Sequence, residues 1–81
     1  MQITINFTGL FRLLSGKDRE IFEIPRDGTI NSLIELLAEK YNELPLKDSK
    51  TLYAKNEKVS DRNTVLNNGD QVRIFQTLSG G

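Results

Sequence analysis

The chain has 81 residues, of which 37% are hydrophobic and 27% charged, the proportions of a small globular domain, and at this length about 60–65% of the unfolded surface is buried, enough for one modest core and no deep cleft. Eleven basic and eleven acidic side chains cancel, which leaves no net field to attract a nucleic-acid backbone. Neither Cys nor His occurs, which removes disulfides, thiolate chemistry, the usual general base and the commonest metal ligand together, so the composition is that of a poor candidate enzyme.

No apolar run approaches the length of a membrane span. The first residues show no basic-then-apolar leader pattern, and the expected location is the cytoplasm. From the start, Ile3, Ile5 and Phe7 alternate with Gln2, Thr4 and Asn6, the period of a half-buried strand. In "TGLFRLLSG", Leu10, Leu13 and Leu14 fall at helical spacing and Gly16 is placed to end a short helix. Alternation resumes in "REIFEI", with Phe22 and Ile24 on one face of a strand from about Arg19 to Ile24, before Pro25, Asp27 and Gly28 break it.

The clearest helix follows. Thr29 is a good N-cap, and Ile30, Leu33, Ile34, Leu37 and Tyr41 fall on one stripe. Glu35, Glu39 and Glu43 mark the opposite face, either a solvated surface or a partner contact. Pro45 is expected to end the helical segment. "TLYAKNEKV" reads as a strand, a tight turn near Asn56 and a return strand through Val59, with Lys55 and Lys58 flanking the turn in solvent. "NTVLNNGD" is a turn, in which Asn68 and Gly69 suit positive φ. A last strand is expected from about Gln71 to Thr77, with Val72 and Ile74 facing one way and Arg73 and Phe75 the other.

This order predicts an α+β fold, a sheet with one main helix across one face, in which the first and last strands can lie together in the middle. No phosphate-binding loop, dinucleotide fingerprint, metal-ligand cluster or nucleophile elbow is present. Asp61 and Asp70 read as turn residues, and Ser15, Ser49 and Ser60 sit in turns with no base to activate them.

The sequence closes on "QTLSGG". Glycine loses the most conformational freedom on ordering, so Gly80-Gly81 after an apolar strand is poor material for a core and good material for a thin tail. Two terminal glycines arise by chance in roughly one chain in two hundred. The reading is a domain over residues 1–77 and a tail over 78–81, able to enter a narrow channel and present a carboxylate. Phe75, facing outward just before the tail, is either an interface anchor or partly covered by a loop.

Taken together, "LFRLLSG" and "LNNGDQVRIFQTLSGG" resemble the ubiquitin-like sulfur carriers, and most of all the MoaD family, the small subunits of molybdopterin synthase. The resemblance implies a β-grasp, ubiquitin-like fold and a carrier chemistry. A MoeB-like adenylating enzyme would use ATP and magnesium to activate the Gly81 carboxylate, and a persulfide sulfur donor would turn it into a thiocarboxylate. A MoaE-like large subunit would then receive the tail. By position, the resemblance makes Gly81 the reacting residue and Leu78, Ser79 and Gly80 the inserted tail. Phe75 and Val59 match apolar positions that face partner enzymes, and Arg12 matches the family's helix arginine. Many MoaD sequences have two prolines where this chain has Gln76 and Thr77. In that respect it is nearer to the ubiquitin-related modifier, whose sulfur goes to transfer RNA and which is also joined to lysines. ThiS, the thiamine-pathway carrier, is typically shorter and lacks the helix signature.

Overall fold

The computed structural model describes residues 1–78. The opening alternation forms β1 (Gln2–Phe7), with Ile3, Ile5 and Phe7 all buried. A short helix, α1 (Leu10–Ser15), leads to β2 (Arg19–Glu23), which pairs antiparallel with β1. The main helix α2 (Ile30–Lys40) precedes β3 (Thr51–Lys55), β4 (Lys58–Ser60) and β5 (Gln71–Gln76). The strand order is β2-β1-β5-β3-β4. β1 and β5 lie parallel in the centre, with Ile5 beside Val72 and Phe7 beside Ile74, and the other neighbours are antiparallel. This is the expected mixed β-grasp sheet with the first and last strands together.

The core sits between one sheet face and α2. Ile3, Ile5, Val72, Ile74 and Tyr53 point into it from the strands, and Ile30, Leu33, Ile34 and Leu37 from the helix. The α2 stripe is therefore the expected one, with Tyr41 half-buried beyond its end. Thr29 caps it: its hydroxyl accepts from Ser32 N, and the Ser32 hydroxyl accepts from Thr29 N at 3.0 Å. Further N–H groups of the first turn are satisfied from the loop after β4, where Ile30 and Asn31 donate to the carbonyls of Thr64 and Arg62.

Five expectations change. The helix stops at Lys40, not at Pro45, and Glu43 lies beyond it; Glu20 on β2 gathers Lys40 and Tyr41 as hydrogen-bond donors and holds the chain there. In α1 the buried residue is Phe11, while Leu10, Leu13 and Leu14 are exposed. Gly16 does end that helix, at φ 76°. Of Asn68 and Gly69 only the glycine takes positive φ, 88°; Asn68 instead uses its side-chain oxygen to accept from Gln2 N. Lys55 is partly covered, with its ammonium 3.3 Å from the Val65 carbonyl and 3.9 Å from the Asp70 carboxylate. The strand limits each shift by one residue, β2 ending at Glu23 and β5 at Gln76.

Among the described residues, no helix is long and apolar enough to cross a membrane.

Candidate functional site: the root of the tail and the open sheet face

Because β1 and β5 run parallel, β5 delivers the chain to the end of the sheet where α1 turns away. The root of the tail is fixed there by two bonds. The Thr8 hydroxyl donates to the Ile74 carbonyl at 2.8 Å, and Thr77 N donates to the Lys50 carbonyl at 3.0 Å. Gln76 adds a side-chain bond, its amide donating to the Thr51 hydroxyl at 3.3 Å. A proline at 77 would remove the backbone donor to Lys50 and one at 76 the side-chain bond to Thr51, so Thr77 carries strand-like hydrogen bonding one residue past β5. Leu78 then stands fully exposed. A groove of about 360 Å³ surrounds this root, with Thr8, Leu10, Phe11, Lys50, Phe75 and Leu78 in its walls. Ser79, Gly80 and Gly81 lie outside the described residues.

The sheet face opposite α2 carries the predicted contact residues. Phe75 faces outward, as its phase in β5 requires, and is half-buried. Val59 is 59% exposed. The register connects them: Val59 lies opposite Ala54, Ala54 opposite Arg73, and Leu52 opposite Phe75. Val59, Leu52 and Phe75 thus lie around a buried Ala54 on one face of β4, β3 and β5. Arg73 sits on the same face, its guanidinium 5.5 Å from the Phe75 ring centre and 2.9 Å from the Glu57 carboxylate. Arg12 is not part of this face; it projects from α1, largely exposed, with Asp18 at 3.6 Å.

Sequence reasoning set Arg73 on the face of Phe75 but missed Leu52 and Ala54 as its neighbours there. Their alternation with the core-facing Thr51 and Tyr53 was a usable signal, but pairing across strands had to be known to assemble them. It also missed the uncovered leucines of α1, although a six-residue helix carrying four large apolar side chains cannot bury them all on one stripe.

Titration is perturbed away from this face. Burial raises the Glu20 carboxyl, yet hydrogen bonds from Lys40, Tyr41 and Lys17 outweigh it and hold the group below its ordinary value. Burial, then the bond to Glu20, raises Tyr41. Burial pushes the Tyr53 hydroxyl up to about 12, against a smaller opposing pull from Arg62. These groups brace the scaffold and none touches the tail root. Among the described residues no three Asp, Glu, His or Cys side chains gather as metal ligands.

A mixed sheet with the first and last strands together at its centre and one main helix across a face is the ubiquitin-like β-grasp fold, and the sequence ends on Gly80-Gly81. The molybdopterin converting factor subunit 1 from Pyrococcus furiosus superposes with a TM-score of 0.86 at 22% identity, covering 95% of this chain and 98% of that one. Urm1 from Trypanosoma brucei gives 0.75 at 26% identity, with 99% and 95% covered. The complex of subunits 1 and 2 of molybdopterin-converting factor from Helicobacter pylori contains a chain matching with 0.72 at 20% identity, over 100% of both. The chain belongs to the ThiS family, which it matches over residues 5–81, α1 included. No curated protein matches it by sequence.

Proposed function

We propose that this protein carries sulfur as a thiocarboxylate on Gly81 and delivers it in molybdenum cofactor biosynthesis, as the small subunit of a molybdopterin synthase in the cytoplasm. Residues 1–77 act as the folded domain and residues 78–81 as the inserted tail. The observation that carries the reading is the near full-length likeness to a molybdopterin converting factor subunit 1, joined to a sequence that ends on Gly80-Gly81 five residues after β5 closes at Gln76.

In this mechanism a MoeB-like enzyme binds ATP and magnesium, and the Gly81 carboxylate attacks the α-phosphate, releasing pyrophosphate. The acyl-adenylate turns an unreactive carboxylate into an acyl donor. A persulfide donor displaces AMP through its terminal sulfur, and a second thiol cleaves the sulfur–sulfur bond to leave the thiocarboxylate. The tail then enters a MoaE-like large subunit and gives its sulfur to the pterin precursor. Gly80 lets the backbone pass a narrow channel, while Phe75 and Val59 dock the sheet face and Arg12 adds a contact from α1. A partner of this kind is consistent with the Helicobacter pylori complex, in which subunit 1 is bound to subunit 2.

A second reading rests on two observations, the likeness to Urm1 and the Gln76-Thr77 pair. Here the same carboxylate serves transfer-RNA thiolation or is joined to protein lysines.

The test is intact mass after incubation with the adenylating enzyme, ATP, magnesium and a persulfide donor. A gain of about 16 Da is expected from oxygen-to-sulfur exchange at one activated carboxylate. Deleting Gly81 should abolish the gain and leave thermal unfolding unchanged; a shortened chain that still gains sulfur refutes the proposal. Conversion of the pterin precursor with the large subunit supports the synthase role, whereas Gly-Gly remnants on substrate lysines support the modifier.

A further inference from the structure

The sheet ends on β2, whose one neighbour is β1. Bonds at its two ends fix which backbone groups that pairing uses. Ile24 N donates to the Met1 carbonyl at 3.0 Å, and the Met1 amine donates back to the Ile24 carbonyl at 2.8 Å. Phe7 N donates to the Asp18 carbonyl at 2.8 Å. Bonded pairs alternate along an antiparallel ladder, so Glu20 and Phe22 turn their backbone groups to β1. Arg19, Ile21 and Glu23 turn theirs outward, with no bond to another described segment. The side chains of the same three residues share the sheet face opposite α2. Ile21 is 60% exposed, between an exposed Arg19 and an exposed Glu23. Arg19 enters no ion pair among the described residues, and the Glu23 carboxylate lies 3.8 Å from the Met1 amine. On the other face Glu20 already holds Lys17, Lys40 and Tyr41, and Phe22 packs on the core.

We propose that β2 is a dimer edge, at which two copies of this chain pair their β2 strands antiparallel in a register centred on Ile21. The strand itself chooses this occupant, because it is complementary to its own two-fold image. The axis sets Ile21 against Ile21 of the second copy and places Arg19 opposite Glu23 at both ends. Each pair of outward residues exchanges two N–H to carbonyl bonds, and like charges nowhere stand opposite one another along the strand. Sliding by two residues loses this match. In one direction Arg19 meets Pro25, which has no N–H. In the other Arg19 meets Ile21, and Glu23 meets Lys17, which lies outside the strand and already holds Glu20. The assembly closes at two copies, since each uses its β2 and the opposite edge, β4, has only three residues. Both α2 helices then lie on one side of a continuous sheet, and both Phe75 and Val59 faces lie on the other. The two β5 strands run in opposite directions, so the tail roots point away from each other and stay open. The proposal is independent of the carrier reading, which needs only a single chain.

A strand pair of this length buries less than the about 1,200 Å² of a standard interface, so the dimer is weak and is followed up to about 1 mM. Sedimentation equilibrium compares the parent chain with Arg19→Glu, Glu23→Arg and the double reversal Arg19→Glu/Glu23→Arg. Each is first shown by thermal unfolding to be folded. The parent should dimerise. Either single reversal sets like charges opposite each other at both ends and should raise the dimer Kd about tenfold or more. The double reversal restores opposite charges and should bring Kd back to within about threefold of the parent. Amide hydrogen exchange reads the register. The Arg19, Ile21 and Glu23 amides should gain protection as concentration rises, while Glu20 and Phe22, already bonded to β1, should not change. A parent that stays monomeric at about 1 mM overturns the proposal. Protection of those amides only in the presence of a different protein assigns the edge to that protein and overturns it equally. A dimer indifferent to the single reversals assigns self-association to another surface, and a double reversal as weak as the single ones refutes the register.

Discussion

Replacing Asp70 with alanine should unfasten the start of the last strand. Its carboxylate accepts from the Asn56 side chain at 2.9 Å and from Asn67 N at 2.7 Å, with the Lys55 ammonium 3.9 Å away. Asn56 in turn accepts from Gln71 N at 2.9 Å, and its own backbone N–H donates to the Gln71 carbonyl at 2.7 Å. The carboxylate therefore closes a ring between the β3–β4 turn and the first residue of β5. Hydrogen bonds to a charged acceptor contribute about 1.5–3 kcal/mol each. The partly exposed Lys55 pair adds less than about 1 kcal/mol. Asn56 is exposed and regains water when the carboxylate is removed, so the net loss should be about 2–4 kcal/mol. For a domain of this size that lowers Tm by roughly 10–25 °C. Urea unfolding at neutral pH should show a lower midpoint with an unchanged slope. Asn56→Ala breaks the same ring and also strains a backbone held at φ 48°. The double variant should therefore lose less than the two single losses combined, by about 1 kcal/mol or more. A loss below about 0.5 kcal/mol for Asp70→Ala, or strict additivity, would refute the ring as a stabilising unit.

Tyr53 gives an alkaline signature. Its hydroxyl donates to the Leu46 carbonyl at 3.0 Å, and its folded value of about 12 exceeds the ordinary 10.0. A raised value stabilises the fold fully below pH 10, and that contribution, roughly 2–3 kcal/mol, is lost as pH rises towards the folded value. Tyr53→Phe should flatten that part of the stability profile; an unchanged slope counts against the assignment. Glu20 acts in the opposite sense, since its folded value lies below 4.5. The parent should be more stable than Glu20→Gln by about 1 kcal/mol at neutral pH. The gap should close as pH falls below 4.5 and through the folded value, and acid titration of the two chains by circular dichroism checks it.

Local patterns were enough for most of the elements. Alternation at Ile3, Ile5 and Phe7, the stripe from Ile30 to Leu37, and Thr29 as a cap each depend on neighbours a few residues away, so the sequence carries them openly. The Gly-Gly ending and the apolar phase of β5 were equally legible, because chain position and period-two geometry need no partner strand. Tertiary structure decided the rest. The end of α2 at Lys40 depends on Glu20, twenty residues earlier in the chain, and no local propensity encodes that hydrogen bond. The choice of Phe11 over three leucines for the core follows from which side of α1 meets the sheet. Val59 and Phe75 share a face because β3 lies between β4 and β5, a pairing between distant segments that periodicity leaves free. The sequence by itself thus determined which stretches become strands and helices and that the chain closes on Gly80-Gly81 soon after the last strand. Only the folded chain decided which side chains surround the root of that tail, because burial is set by contacts between elements and not within them.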